Sequence, residues 1–342
     1  MGKAKRDLTT ADDLVAAGLA DARDAAMMRR VSSAFRVRVT PPMQQDSPGI
    51  RAQFVPDARE LQTRPEELAD PIGDQAHSPV PGLTHRYPDR AILHLTQSCD
   101  VYCRFCFRRE VVGAAGLLPA AQLDAALAYL TRTEAIREII LTGGDPMSIA
   151  PRRMDELLTR LDAIPHLRII RLHSRVPVVA PHRIDALLPV LRRCKAVAVV
   201  IHTNHPDELT GDAVAAITDM ADAGIQLLSQ TVLLRGVNDH AATLADLFRA
   251  LTELRVTPYY LHHCDLARGT SHFRTTIDEG LQLIAALRGH LSGIAIPSYV
   301  LDLPGGYGKV PLETRDVVPL GAGRWQIRDW RGGLHIYTDP PR

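Results

Sequence analysis

The chain has 342 residues, 46% of them hydrophobic, and a formal net charge of +1 at pH 7. That length can bury a large core, as one α/β barrel or two smaller domains, and the near-neutral balance leaves no strong field for nucleic acid or an anionic membrane. No apolar run reaches the ~18 residues of a spanning helix and no hydrophobic leader follows MGKAKRDLTTADD, so the expectation is a soluble cytoplasmic protein without membrane contact. Five cysteines, three of them clustered, do not make a disulfide framework and favour a reducing compartment.

From Thr10 to about Arg30 the apolar spacing is helical, with Thr10 as N-cap before Asp12 and Asp13. A second short helix is expected over 57–68, and polar, proline-bearing linkers over 40–48 and 70–81. Residues 1–80 thus read as a helical lead-in that wraps another body. From Arg90 the pattern alternates between strand and helix. The expected strands are 91–96, 138–142, 169–173, 196–203, 225–234 and 258–263. The expected helices between them are 119–131, 153–164, 183–193, 211–223 and 242–254, followed by a helix over 277–291 and a strand over 299–303. Apolar strands separated by amphipathic helices imply βαβ units and a parallel sheet, as a curved partial barrel or a doubly wound sheet. The tail predicts a β-hairpin with strands 325–330 and 334–338 around Arg331-Gly332-Gly333. The division is then 1–80, a core over 81–296 and a C-terminal segment over 297–342.

The chemistry-bearing residues fall at the carboxyl ends of these strands, where barrels build their active sites. After the first comes CDVYCRFCFRR, with Cys99, Cys103 and Cys106 spaced CxxxCxxC. Three thiolates on one loop can hold three irons of a 4Fe-4S cluster and leave the fourth open. A structural zinc site wants four protein ligands, and neither Cys194 nor Cys264 repeats the spacing. After the second strand, Gly143-Gly144-Asp145-Pro146 puts small residues where backbone can approach a ligand; the same residues also make an ordinary turn. His173-Ser174-Arg175, His202 to His205, Gln230 and Cys264-Asp265 end the next four. His202, His205, His262 and His263 could bind metal, but histidines at strand ends more often make hydrogen bonds, and Cys194 reads as buried.

Pro304-Gly305-Gly306-Tyr307-Gly308-Lys309 would let the backbone turn tightly beside a bulky ligand, with Lys309 as a nucleophilic amine; a solvated surface turn has the same composition. Arg86, Tyr87 and Arg90 offer two cations and a phenol for a phosphate. Asp265 and Asp302, if both face a cavity, require a cation between them, while Arg108 can fork a carboxylate. Two aspartates opposite an arginine suit a dibasic amino acid such as lysine.

From Ser78 onward, through CxxxCxxC, GGDP, TVLLRGVND, GTSHFRT and PGGYGK, the sequence resembles the radical S-adenosylmethionine aminomutases, and among them the lysine 2,3-aminomutase group. The resemblance implies a partial (β/α)6 barrel with a helical lead-in and a C-terminal β extension. It implies Cys99, Cys103 and Cys106 as cluster ligands, and Gly143, Gly144 and Asp145 beside the methionine part of S-adenosylmethionine, with His202 and Gln230 near its nucleoside. It implies Lys309 as the lysine that carries pyridoxal phosphate, and Arg86, Tyr87 and Arg90 on the phosphate. Arg108 would take the substrate carboxylate, and Asp265 with Asp302 its distal ammonium. The implied reaction moves the amino group of L-lysine from C2 to C3 after a 5′-deoxyadenosyl radical removes hydrogen, with a flavodoxin or ferredoxin as electron donor.

Departures accompany the likeness. Family members carry a cysteine-rich tail that binds zinc and helps hold a homo-oligomer, and no such cysteines occur up to Arg342. Tyr307 stands for a glycine, His262 for a tyrosine and Thr142 for a serine. The length resembles relatives that make β-lysine for elongation factor P, although those lack the full glycine–lysine segment. The alternatives are that role, a 2,3-aminomutase for another amino acid, a radical enzyme without pyridoxal phosphate acting on a peptide or RNA, or a non-enzymatic iron–sulfur or zinc module.

Overall fold

The computed structural model describes residues 6–193, 195–313, 317–321, 324–328 and 333–338. Its centre is a nine-stranded sheet whose strands follow one another in chain order. β1 (Leu83–Tyr87) pairs antiparallel with β2 (Arg90–Thr96). Parallel pairing then runs through β3 (Glu138–Gly143), β4 (Ile169–Ser174), β5 (Ala196–His202), β6 (Gln226–Leu233), β7 (Thr257–His263) and β8 (Ser298–Leu303). β9 (Gly308–Pro311) returns antiparallel on β8, with Lys309 opposite Asp302. The seven parallel strands are the ones the sequence predicts, with ends shifted by a residue. The fold is the expected α/β partial barrel.

The crossover helices are α4 (Ala120–Arg132), α5 (Pro151–Asp162), α7 (Ile184–Leu191), α8 (Gly211–Asp222) and α9 (Ala241–Glu253), with the short α6 (Val176–Val179) before α7 and α10 (Ile277–Leu287) before β8. Their apolar stripes, for example Leu130, Leu158, Leu187, Ile217 and Leu247, pack on one face of the sheet in a single continuous core. The other face turns inward. Because strand side chains alternate, Ile140 and Thr142, Arg171 and His173, Gln230 and Val232, and Tyr260 and His262 line an internal cavity.

The lead-in departs most from expectation. Thr10 does cap a helix, in a capping box with Asp13, but the expected single helix is two: α1 (Ala11–Ala16) and α2 (Ala25–Ala34). Gly18, at φ +73°, ends the first, and Asp21 caps a 3₁₀ turn ahead of the second. The helix expected over 57–68 is only the 3₁₀ turn Ala58–Leu61. Pro65 disfavours helix at Arg64, and Glu60 turns inward instead of facing solvent, at 1% exposure. Part of the expected linker opens α3 (Pro48–Phe54), with Ser47 at its N-cap. In the tail, β11 (Arg324–Arg328) and β12 (Leu334–Thr338) pair antiparallel as the predicted hairpin, joined by the unexpected β10 (Val317–Gly321). Residues 329–332, which hold most of the hairpin turn and the end of its expected first strand, and Cys194 lie outside the described residues.

Candidate active site

The Cys99–Arg109 loop leaves the end of β2 and is held by buried charge. Glu60 accepts from Nε of Arg104 at 3.0 and 3.1 Å and also pairs with Arg109, whose guanidinium stacks on Phe35 at 3.6 Å. The backbone N–H of Arg104 donates to Gln53 of α3 at 2.9 Å, and Arg38 donates to Cys99 O at 3.2 Å. Asp100 accepts from Ser148 at 2.6 Å and Arg183 at 3.0 Å. The lead-in therefore clamps the loop.

Cys99, Cys103 and Cys106 are unbridged and all face one cavity of about 750 Å³. Burial pushes Cys106 up to about 11 and Cys99 well above the usual thiol range, so thiolates here need positive charge beside them. An iron–sulfur cluster would supply it. Arg175 supplies some, donating from Nη1 to Cys103 Sγ at 2.8 Å while pairing with Glu208, itself fully buried. Among the described residues no three His, Cys, Asp or Glu side chains converge on one ion position, as zinc would require. Three thiolates that each take a different iron do not need to converge in that way.

Gly143 and Gly144 do more for the chain itself than the sequence suggests. A Cβ on Gly143, which has φ +117°, would lie 2.4 Å from Thr96 O, and one on Gly144 2.3 Å from Ser98 O. The glycines let β3 dock on the base of the cysteine loop. Asp145 is likewise engaged, accepting from Ser174 Oγ and Arg175 N at 2.7 Å and from Met147 N at 3.0 Å. Burial still raises it, to about 6. All three residues line the cavity, where Asp145 braces the ends of β3 and β4.

His202 and Gln230 are register partners on β5 and β6 and face the same space. Burial holds His173, His202 and His262 below the ordinary histidine range, and Nε2 of each is buried with no partner among the described residues. Such orphans in a cavity call for a ligand. His205 and His263 follow the plainer expectation: Nδ1 of His205 accepts from Asp207 N at 3.2 Å, and Nδ1 of His263 bonds Tyr299 OH at 2.7 Å. Cys264 is buried.

At the other end, Lys309 Nζ donates to both oxygens of Asp302, at 2.6 and 2.7 Å. His262 Nδ1 lies 3.3 Å from the same carboxylate. Burial would raise Asp302, but His262 and Lys309 outweigh it and hold the carboxyl well below its usual range. Burial pushes nearby Asp265 up to about 7, and the charge on Asp302 adds to the rise. Tyr87 OH accepts from the Lys309 backbone N–H at 2.9 Å, and a Cβ at Gly308 would meet that hydroxyl at 2.7 Å. Arg90 lies over the Tyr87 ring at 3.8 Å. Arg86 donates to Ile72 O, and its buried Nε, with no partner among the described residues, is left for an anion. Tyr307, the departure in the glycine segment, is 83% exposed and points away from this chemistry.

Arg108 borders the cavity but is not free: Nε and Nη2 donate to Asp74 at 2.9 and 2.8 Å, and Nη1 to Thr142 Oγ1 at 3.3 Å. Thr142 thus keeps the hydroxyl of the serine it replaces. Sequence reasoning missed Asp74, Glu60 and Glu208. Asp74 sat in an expected linker and Glu60 on an expected helix, with no local sign of their distant arginines.

The family described as the Radical SAM superfamily matches residues 93–248, and that described as Lysine-2,3-aminomutase matches residues 284–342. The L-lysine 2,3-aminomutase of Fusobacterium nucleatum is 40% identical over 319 residues, covering 91% of this chain and 75% of that one. That of Acetoanaerobium sticklandii is 39% identical over 321 residues, covering 92% and 78%. The glutamate 2,3-aminomutase of Clostridioides difficile is 35% identical over 294 residues, covering 85% and 69%.

Proposed function

This chain belongs to the lysine 2,3-aminomutase family of radical S-adenosylmethionine enzymes, isomerases that use an iron–sulfur cluster, and from that premise we propose that it interconverts L-lysine and β-lysine with pyridoxal phosphate as second cofactor. The non-enzymatic module falls away with the family. When bound, the cluster with S-adenosylmethionine supplies a carbon radical that removes hydrogen, and pyridoxal phosphate carries the migrating amino group.

The choice of lysine rests on one observation above all: Asp302 already accepts a primary ammonium, that of Lys309, on both oxygens. A substrate ε-ammonium would take the same seat once Lys309 turns to the cofactor. Asp265 beside it would add a second acceptor, and the approaching cation would lower its raised pKa. A substrate ending in a carboxylate, as glutamate does, would instead face two carboxyl groups. Arg108 would hold the α-carboxylate end-on, while Arg86 and Arg90 would take the cofactor phosphate. Cys99, Cys103 and Cys106 would ligate the cluster, and His202 and Gln230 would meet the nucleoside. Gly143, Gly144 and Asp145 would form the wall beside the methionine end.

The test is anaerobic turnover of lysine, glutamate and alanine with reductant and both cofactors. Lysine is expected to give β-lysine fastest, and Asp302→Ala to lower kcat/KM for lysine about a hundredfold, since it removes the buried carboxylate from the ammonium seat, with little change for alanine. Faster glutamate or alanine turnover by the unaltered enzyme, or equal losses on lysine and alanine, would overturn the assignment.

A further inference from the structure

Asp74 lies in the connection between α3 and β1, and its carboxylate reaches two arginines assigned to two different anions. Oδ2 accepts from Nε and Nη2 of Arg108, and Oδ1 lies 3.5 Å from Nη2 of Arg86. Burial alone would raise this carboxyl, yet Arg108 and Arg86 help to hold it below its usual range, so it is ionised. The turn that carries it is pinned on both sides. Asp70 accepts from Asp74 N at 3.0 Å and Gln75 N at 2.9 Å, and Thr84 of β1 donates to Asp74 O at 3.2 Å. Gly73 packs against the Gly305–Gly306 backbone, where a Cβ would come within 2.7 Å.

The side from which Asp74 reaches Arg108 matters. Arg108 borders both the main cavity and an adjoining one of about 590 Å³, whereas Asp74 borders only the second. Its carboxylate therefore sits behind the guanidinium instead of in the substrate space. A guanidinium has five N–H donors. Asp74 takes two, on Nε and Nη2, and Thr142 one, leaving one on each terminal nitrogen for a carboxylate.

We propose that Asp74 is a positioning residue that sets recognition of the substrate α-carboxylate, by fixing the plane of Arg108 from the far cavity so that its remaining donors face the main one. This rests on the reading of Arg108 given above. An Arg108 without Asp74 would keep its charge and lose its orientation, so the effect falls on ligands that carry the carboxylate.

The experiment is calorimetric titration of the anaerobically reconstituted holoenzyme, without reductant, with L-lysine and with 1,5-diaminopentane, which lacks only the carboxylate. In Asp74→Asn the Kd for lysine is expected to rise about tenfold, the scale of one charge-assisted hydrogen bond, with the diamine unchanged within about twofold and Asp74→Glu recovering most of the loss. Arg108→Ala should erase the preference for lysine altogether. If Arg108→Ala keeps that preference, the reading of Arg108 fails. If Arg108→Ala loses it while Asp74→Asn keeps it, or if Asp74→Asn weakens both ligands equally, the role of Asp74 is overturned. Should Asp74→Asn not fold, Asp74→Ser takes its place with the same expectations.

Discussion

At the cysteine end of the cavity, buried charges are matched within the chain: Glu60 with Arg104 and Arg109, Glu208 with Arg175, Asp100 with Arg183. At the lysine end the pairings are of another kind. Lys309 occupies Asp302, the carboxylate read as the substrate's ammonium seat, and Tyr87 bonds the Lys309 backbone. At the first end the ion pairs hold the loop itself in place, and at the second an ammonium of the chain holds a group assigned to the substrate. A radical source has to be held in one geometry, while a substrate site must release one ammonium to accept another.

Lys309→Ala separates the two ends most sharply. It is expected to abolish aminomutase turnover and the bound pyridoxal chromophore, while iron stays near four atoms per chain, as a 4Fe-4S cluster requires. Loss of iron together with the chromophore would show that the ends are not independent. Glu60→Gln probes the ion pairs of the cysteine end. It strips the counter-charge from two buried guanidiniums and should cost about 3 kcal/mol in urea unfolding of the cofactor-free protein. A change within about 0.5 kcal/mol, the range of an ordinary surface substitution, would mean that the clamp is incidental.

Asp265 gives the comparison a pH axis. Its folded pKa, about 7, lies above the unfolded value of 3.8, so between those limits the folded chain holds a proton that the unfolded chain has released. Stability of the cofactor-free protein should therefore fall as pH rises from about 4 to 7, and Asp265→Asn should flatten that decline. An unchanged slope in the variant would assign the decline to other groups. The smallest effect is expected for Tyr307→Gly. The side chain is 83% exposed and its φ is not positive, so thermal unfolding should move by less than the equivalent of about 0.5 kcal/mol.

What the sequence made legible follows from the range of the forces involved. The seven parallel strands and their helices could be read because each is an apolar or amphipathic run whose period is local. Thr10 could be read as a cap because its partner, Asp13, is three residues away. The short antiparallel strands β1 and β9 carried too few residues for a period. The helix expected over 57–68 failed because Glu60 answers to Arg104, 44 residues on. The site divided along the same line. The cysteines, Asp265 and Asp302 do face one cavity, as strand-end placement suggests, and Lys309, read from the glycine segment and the family resemblance, lines it too. The partners that orient them, Asp74 for Arg108 and Glu208 for Arg175, are set by tertiary contacts with no local signature.

β1 and β9 are the two free edges of the sheet, and the Tyr87 hydroxyl joins them through the Lys309 amide. The barrel is thus a ring with a seam, fastened there by a side chain instead of a ladder of backbone bonds. A fastening of that kind can open without melting either strand, and it opens at the residue that would carry the cofactor. Amide exchange at Lys309 would then report the breathing of the whole enclosure, and a Tyr87→Phe chain would be one whose ring stands ajar.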